Sequence, residues 1–187
     1  MANRRASSDR AKRPLDAARL DELALAYVAR FATSRAKLAR YLSRKIRESD
    51  WVDAIDGPAA CAAAVAKMDR LGFVDDKQYA GMRAGAMTRR GLGVRRVKAQ
   101  LWVDGIDSTD SVAAVAAAEG AALSSALGFA RRRRLGPYAR EAIADPAQRE
   151  RHVAAFARAG HSLALARRIL ATAPGDEAAL DDEAGLD

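Results

Sequence analysis

A chain of 187 residues that is 50% hydrophobic but only 5% aromatic draws much of its apolar surface from alanine. Alanine favours close-packed helices and gives little support to a sheet. The formal net charge of +8 and a pI of about 10.1 point to a polyanionic partner, nucleic acid first and an anionic membrane surface second.

The single cysteine, Cys61, excludes an intramolecular disulfide, and its alanine-rich surroundings predict a packed structural thiol. The basic N-terminus has no apolar stretch behind it, and no run approaches the roughly 18 apolar residues of a membrane span. The expectation is a cytoplasmic protein without membrane attachment.

Residues 1–14 carry charge and no apolar period, which predicts a disordered basic arm containing Arg4, Arg5, Arg10, Lys12 and Arg13. Pro14 and Leu15 are read as opening the first helical region. Leu20, Leu23, Tyr27, Val28 and Phe31 then recur at helical steps and form one apolar face. Ser34 is a candidate N-cap for a second helix carrying Leu38, Leu42 and Ile46. Pro58 starts a third, with Val65, Met68 and Leu71 inward and Gly72 as its stop. Asp75-Asp76 precede a helix through Tyr79, Met82 and Met87, which ends at the turn Gly91-Leu92-Gly93. Val94, Val97 and Leu101 mark the next helix, closing near Asp104-Gly105. Asp107-Ser108-Thr109 open another, with Val112 and Val115 inward. The helix from about Ala121 carries Leu123, Leu127 and the run Arg131, Arg132, Arg133 and Arg134, and stops at Gly136-Pro137. Asp145-Pro146 begins a helix with Val153 and Phe156, ended by Gly160. Ser162 caps the last, with Ala166, Ile169 and Leu170 inward. Residues 174–187 read as an acidic, disordered tail.

An internal repeat organises these elements. Anchored on Ser34, Gly93 and Ser162, the residues eight later are Leu42, Leu101 and Leu170, and those four later are Leu38, Val97 and Ala166. Six earlier stand Val28, Met87 and Phe156, and four earlier stand Arg30, Arg89 and Arg158. The pattern predicts an all-α fold of tandem three-helix, helix-turn-helix-like modules over 15–74, 75–119 and 120–173. Such modules would form an elongated, curved array rather than a single pocket.

The stretch from Leu71 to Ile106 carries Gly72, Asp75-Asp76, Tyr79-Ala80, Gly91, Gly93, Arg95-Arg96-Val97, Leu101 and Gly105-Ile106 in order. It resembles the central repeat of the RecX family, and the flanking repeats extend the resemblance over roughly residues 15–173. Gln100, Met87 and the Trp102-Val103-Asp104 segment depart from the family pattern. The resemblance implies a regulator that binds a RecA filament on DNA and modulates it, usually by inhibiting ATP hydrolysis and strand exchange, with no catalytic residues to transfer.

The candidate partner- or DNA-binding residues are Arg89, Arg90, Arg95, Arg96 and Lys98 around the glycine turn, Arg131 to Arg134, and Arg167-Arg168. A glycine turn allows close backbone approach, helix N-terminal amides attract anions, and arginine forks onto carboxylate or phosphate. Asp75 and Asp76 fit helix capping far better than acid–base chemistry. Tyr79, Val97 and Leu101 fit the core, and Trp51 and Trp102 are each expected to bury one face. Two isolated histidines, His152 and His161, do not make a zinc site. No P-loop, dinucleotide fingerprint or nucleophilic triad is present, so no enzyme, metal or cofactor is expected. The expected partners are a RecA filament and DNA, single- or double-stranded, bound weakly or through the filament by a monomer. The alternative is a direct DNA-binding module that grips phosphate with its basic helix-turn-helix surfaces.

Overall fold

A computed structural model describes residues 13–180. Arg4, Arg5, Arg10 and Lys12 of the expected basic arm lie outside the described residues, as do residues 181–187. The fold is all-α, and the chain divides into two compact units, Met1–Asp75 and Asp76–Asp187. No single described helix is long and apolar enough to cross a membrane.

In the first unit, α1 (Ala17–Val28), α2 (Arg35–Glu48) and α3 (Gly57–Arg70) enclose one apolar cluster. Local chemistry sets the helix starts. The side chains of Asp16, Ser34 and Asp56 each accept from a backbone N–H three residues on, and Pro58 lies in the first turn of α3. Leu20, Ala24, Leu38, Leu42, Ala60, Ala64 and Met68 fill the interior. Cys61 is buried there too, with its Sγ 3.6 Å from the Ala39 carbonyl. Three sequence expectations change. Leu71, expected inward on α3, is instead its C-cap and is 57% exposed. Pro14–Leu15 do not begin α1 but pair in parallel with Asp50–Trp51 as a two-residue bridge, leaving Asp16 as the cap. The apolar stripe of α1 also stops short of Phe31, because the helix ends at Val28 and Phe31 is 52% exposed.

The second unit holds α4 (Asp76–Arg89), α5 (Val94–Val103), α6 (Ser108–Gly120), α7 (Ala122–Arg133), α8 (Pro146–Ala159) and α9 (Leu163–Ala171). It contains two apolar clusters. Tyr79, Ala80, Ala84, Met87, Val97, Leu101, Ile106, Ala114 and Ala118 pack among α4–α6, and Phe156 centres the other among α7–α9. The repeat-matched residues Leu42, Leu101 and Leu170 are all buried, as are Leu38, Val97 and Ala166.

The inward face of α6 differs from the sequence expectation. Val112 is 63% exposed, whereas Ala114 and Ala118 are buried against α4. Small residues let the two helices approach closely, and valine at those positions would hold them apart. Met82 is likewise exposed.

Asp104, at the C-cap of α5, is buried and accepts hydrogen bonds from the Tyr79 hydroxyl at 2.9 Å and from Gln100 Nε2 at 3.1 Å. The Arg83 guanidinium lies 3.4 Å from the same carboxylate. Gln100 and Asp104, both departures from the family pattern, therefore serve one buried polar network.

The helix triplets α4–α6 and α7–α9 merge through their matching turns. Gly93 N–H donates to the Ala159 carbonyl at 2.9 Å and Arg95 N–H to the Gly160 carbonyl at 3.2 Å. His161 Nε2 lies 3.1 Å from the Gly91 carbonyl, and Ser125 Oγ donates to the Leu92 carbonyl at 3.0 Å. A β-carbon on Gly93 would sit 2.3 Å from the Gly160 carbonyl oxygen, and one on Gly160 would sit 2.5 Å from the Arg96 nitrogen. The two backbones touch with no room for a side chain.

The end of the chain also departs from a free tail. Residues 174–180 return to α9, where Leu180 is 1% exposed and its carbonyl accepts from the Arg168 guanidinium at 2.7 Å. Gly175 N–H donates to the Pro137 carbonyl.

Gly93→Ala should lower unfolding stability by about 1–3 kcal/mol through backbone collision. Gly81→Ala, at an open position within α4, should raise it by about 0.5–1 kcal/mol. Urea unfolding of both variants checks the contrast.

Candidate partner-binding surface

The basic residues marked by the sequence fall in two sets in the second unit. The first surrounds the turn Gly91-Leu92-Gly93. Arg89 ends α4, Arg90 follows it in the turn, and Arg95, Arg96 and Lys98 lie on exposed faces of α5. The turn itself is not an open anion cradle. Its glycines are buried, Gly93 N–H and Arg95 N–H are bonded to the α8–α9 turn, and Leu92 N–H is bonded to the Met87 carbonyl. The expectation that this backbone grips a partner is corrected by that packing. The Arg95 and Lys98 side chains instead line a cleft of about 270 Å³ together with Glu119, Gly160, His161, Ser162 and Leu165. Lys98 pairs with Glu119 at 2.9 Å, which ties α5 to α6.

Trp102 stands one turn beyond Lys98 on α5 and is 79% exposed. The expected half-buried ring is thus set in solvent on a basic helix face. Trp51 differs, being partly buried against the first cluster with its indole N–H donating to the Ile55 carbonyl at 2.8 Å.

The second set is the run Arg131 to Arg134 at the end of α7. Arg131 lies 3.2 Å from Glu177 and caps the Tyr138 ring at 4.8 Å. Arg132 donates to the Arg90 carbonyl, so it serves the joint between the triplets. Arg133 lies over the Phe129 ring at 5.1 Å. Arg134 closes α7 in the left-handed conformation, with φ 55°. The Tyr138 hydroxyl also bonds Glu177, and its pKa is pushed up by partial burial and by that carboxylate. Arg167 is exposed on α9, whereas Arg168 is turned to the Leu180 carbonyl. Arg132 and Arg168 therefore carry structural bonds that the sequence does not announce.

Asp75 immediately precedes α4 and Asp76 lies in its first turn, where negative charge meets the positive end of the helix dipole. Gly105 follows the Asp104 cap with φ 76°, and Ile106 N–H bonds the Leu101 carbonyl behind it. Among the described residues no three His, Cys, Asp or Glu side chains group to hold a metal ion.

No family model matches the chain. A protein of Myxococcus xanthus (strain DK1622) named regulatory protein RecX is 31% identical over 160 residues, spanning 83% of this chain and 86% of that one. The chain belongs to the RecX family. The crystal structure of RecX from Lactobacillus salivarius superposes with a TM-score of 0.60 at 16% identity, covering 82% of this chain and 94% of that one. A crystal structure of a regulatory protein RecX gives a TM-score of 0.61 at 16% identity, over 82% and 70% of the two chains. Both likenesses concern the fold.

In this RecX-family chain the imidazole of His161 is 2% exposed beneath the paired turns, against Phe129 and Phe156. Burial lowers its pKa below the usual value near 6.5. The bond to the Gly91 carbonyl opposes that shift and the nearby Arg132 charge adds to it. The unfolded chain takes up the proton first as pH falls, so His161 contributes stability at neutral pH that is lost as pH drops below about 6.5. Partial burial, with Arg151 and Arg133 nearby, lowers His152 as well. The urea midpoint should fall between about pH 7.5 and 5.5, and His161→Gln should remove more of that fall than His152→Gln does. An equal fall in wild type and His161→Gln would contradict the assignment.

Proposed function

We propose that this chain regulates a RecA recombinase by docking on the RecA–DNA filament and inhibiting its ATP hydrolysis and strand exchange. The observation that carries this reading is the 31% identity, across 83% of the chain, to a protein named regulatory protein RecX. The placement of charge supports it. Arg95, Arg96 and Lys98 project from α5 beside the exposed Trp102, and Arg167 projects from α9. Cations dispersed around an exposed aromatic suit a broad acidic surface, where arginine forks onto carboxylate or phosphate and the indole supplies contact area. The chain acts as a monomer in the cytoplasm and needs no cofactor for a binding function of this kind.

The direct test is RecA-catalysed, single-strand-dependent ATP hydrolysis, with the protein titrated in below the RecA concentration. Inhibition at strongly substoichiometric ratios is expected, because one bound molecule then silences many protomers. An unchanged rate at every ratio overturns the proposal. The double variant Arg95→Ala with Lys98→Ala should raise the half-inhibiting concentration by on the order of tenfold.

A further inference from the structure

The first unit carries an aromatic and cationic surface apart from the basic clusters of the second. Phe31 falls outside α1 and is 52% exposed, so it owes little to core packing. Its ring centroid lies 5.2 Å from that of Tyr27, and Tyr27 stacks on Tyr41 at 4.3 Å with the ring planes 20° apart. Cations flank the ladder at both ends. The Arg30 guanidinium lies 5.7 Å from the Phe31 centroid, and Arg44 and Lys45 lie 5.7 and 5.9 Å from that of Tyr41.

Beside the rings an open cleft of about 330 Å³ is lined by Tyr27, Lys37, Arg40, Tyr41 and Arg44. None of those five is acidic. Lys37, Arg40 and Arg44 recur at steps of three and four, so α2 presents them along one face. The same helix carries Arg35, Lys45 and Arg47 against a single acid, Glu48, which lies at its far end beside Arg44 and Lys45.

An exposed ring, Phe31, continued by two half-buried tyrosines and flanked by cations, matches one ligand chemistry well. A nucleobase stacks on an aromatic face, and the phosphates on either side seek lysine and arginine. Only an unpaired base offers its face, because a duplex hides both faces of every base within its own stack.

We propose that the Phe31–Tyr27–Tyr41 ladder and the Lys37–Arg40–Arg44 cleft form a binding site for single-stranded nucleic acid. A base stacks on Phe31, and the adjoining phosphates follow the cationic face of α2. Recognition is tolerant of sequence, since every base has a stacking face. The site acts without RecA, so its test is independent of the regulatory reading.

The test is fluorescence anisotropy of labelled oligothymidylate and oligouridylate with the full chain, in the absence of RecA, across a salt series. Phe31→Ala should weaken binding of at least one oligomer about tenfold, and Phe31→Tyr should restore it. Phe31→Ala should leave the salt slope unchanged. Arg40→Ala should reduce that log–log slope by roughly 0.7, since one phosphate fewer is neutralised. Phe73→Ala, at an equally exposed phenylalanine, should change neither quantity, and matching thermal transitions establish that the variants fold. Three results overturn the proposal: neither oligomer binds, Phe31→Ala binds like wild type, or polyglutamate binds with the same dependence on Phe31.

Discussion

Two glycine-containing turns pressed together govern the second unit. Gly93 and Gly160 exclude side chains from the contact, and the amides of Gly93 and Arg95 bond across it. That contact makes α4–α6 and α7–α9 one body rather than two beads on a string. His161, Ser125 and Arg132 then add side-chain bonds to the backbone of the first turn. The arrangement consumes the backbone groups that would otherwise attract an anion. The cations left in solvent include side chains on the outer faces of α5 and α9.

The same joint explains why the repeat is imperfect. The residue two before the helix cap is Gly91 in one repeat and Gly160 in another, where the turns meet. In the first repeat it is Ala32, which is exposed. Glycine appears where close approach demands it, while the apolar positions four and eight after the cap are filled in all three repeats. Packing within each triplet is the shared constraint, and turn-to-turn contact is an additional one.

Much of the fold is legible in the sequence because its signals are local. Ser34, Ser162, Asp107 and Asp145 cap helices through bonds spanning two or three residues. Gly72 and Gly160 end helices with positive φ for an equally local reason. The departures concern choices made by distant neighbours. An alanine-rich helix such as α6 has weak amphipathic contrast, so its pattern points valine inward where the close α4 contact needs alanine. Phe31 keeps the helical period but lies beyond the helix end. Trp102, expected to bury a face, stands in solvent, and Leu180 docks from within an acidic segment. No periodicity announces a contact made across many tens of residues.

In the sequence the basic composition reads as a single property, and the structure divides it by task. Arg132 and Arg168 hold backbone carbonyls, Lys98 and Arg131 meet carboxylates, and Arg96 and Arg167 stand exposed on helix faces. Charge counting overstates a binding surface whenever arginine also serves as a structural clasp. It also passes over the alternation of tyrosine, phenylalanine and cations across α1 and α2, because those residues converge only after the first two helices fold against each other.

The most direct measurement of the turn-on-turn joint is residue-resolved amide hydrogen exchange on the free protein. The Gly93 and Arg95 amides should be protected as strongly as the core amide of Leu101, opening only when the unit unfolds. Rapid exchange of Gly93 and Arg95 beside a protected Leu101 would show the two turns apart in solution, and would return the glycine turn to the role of an open binding loop.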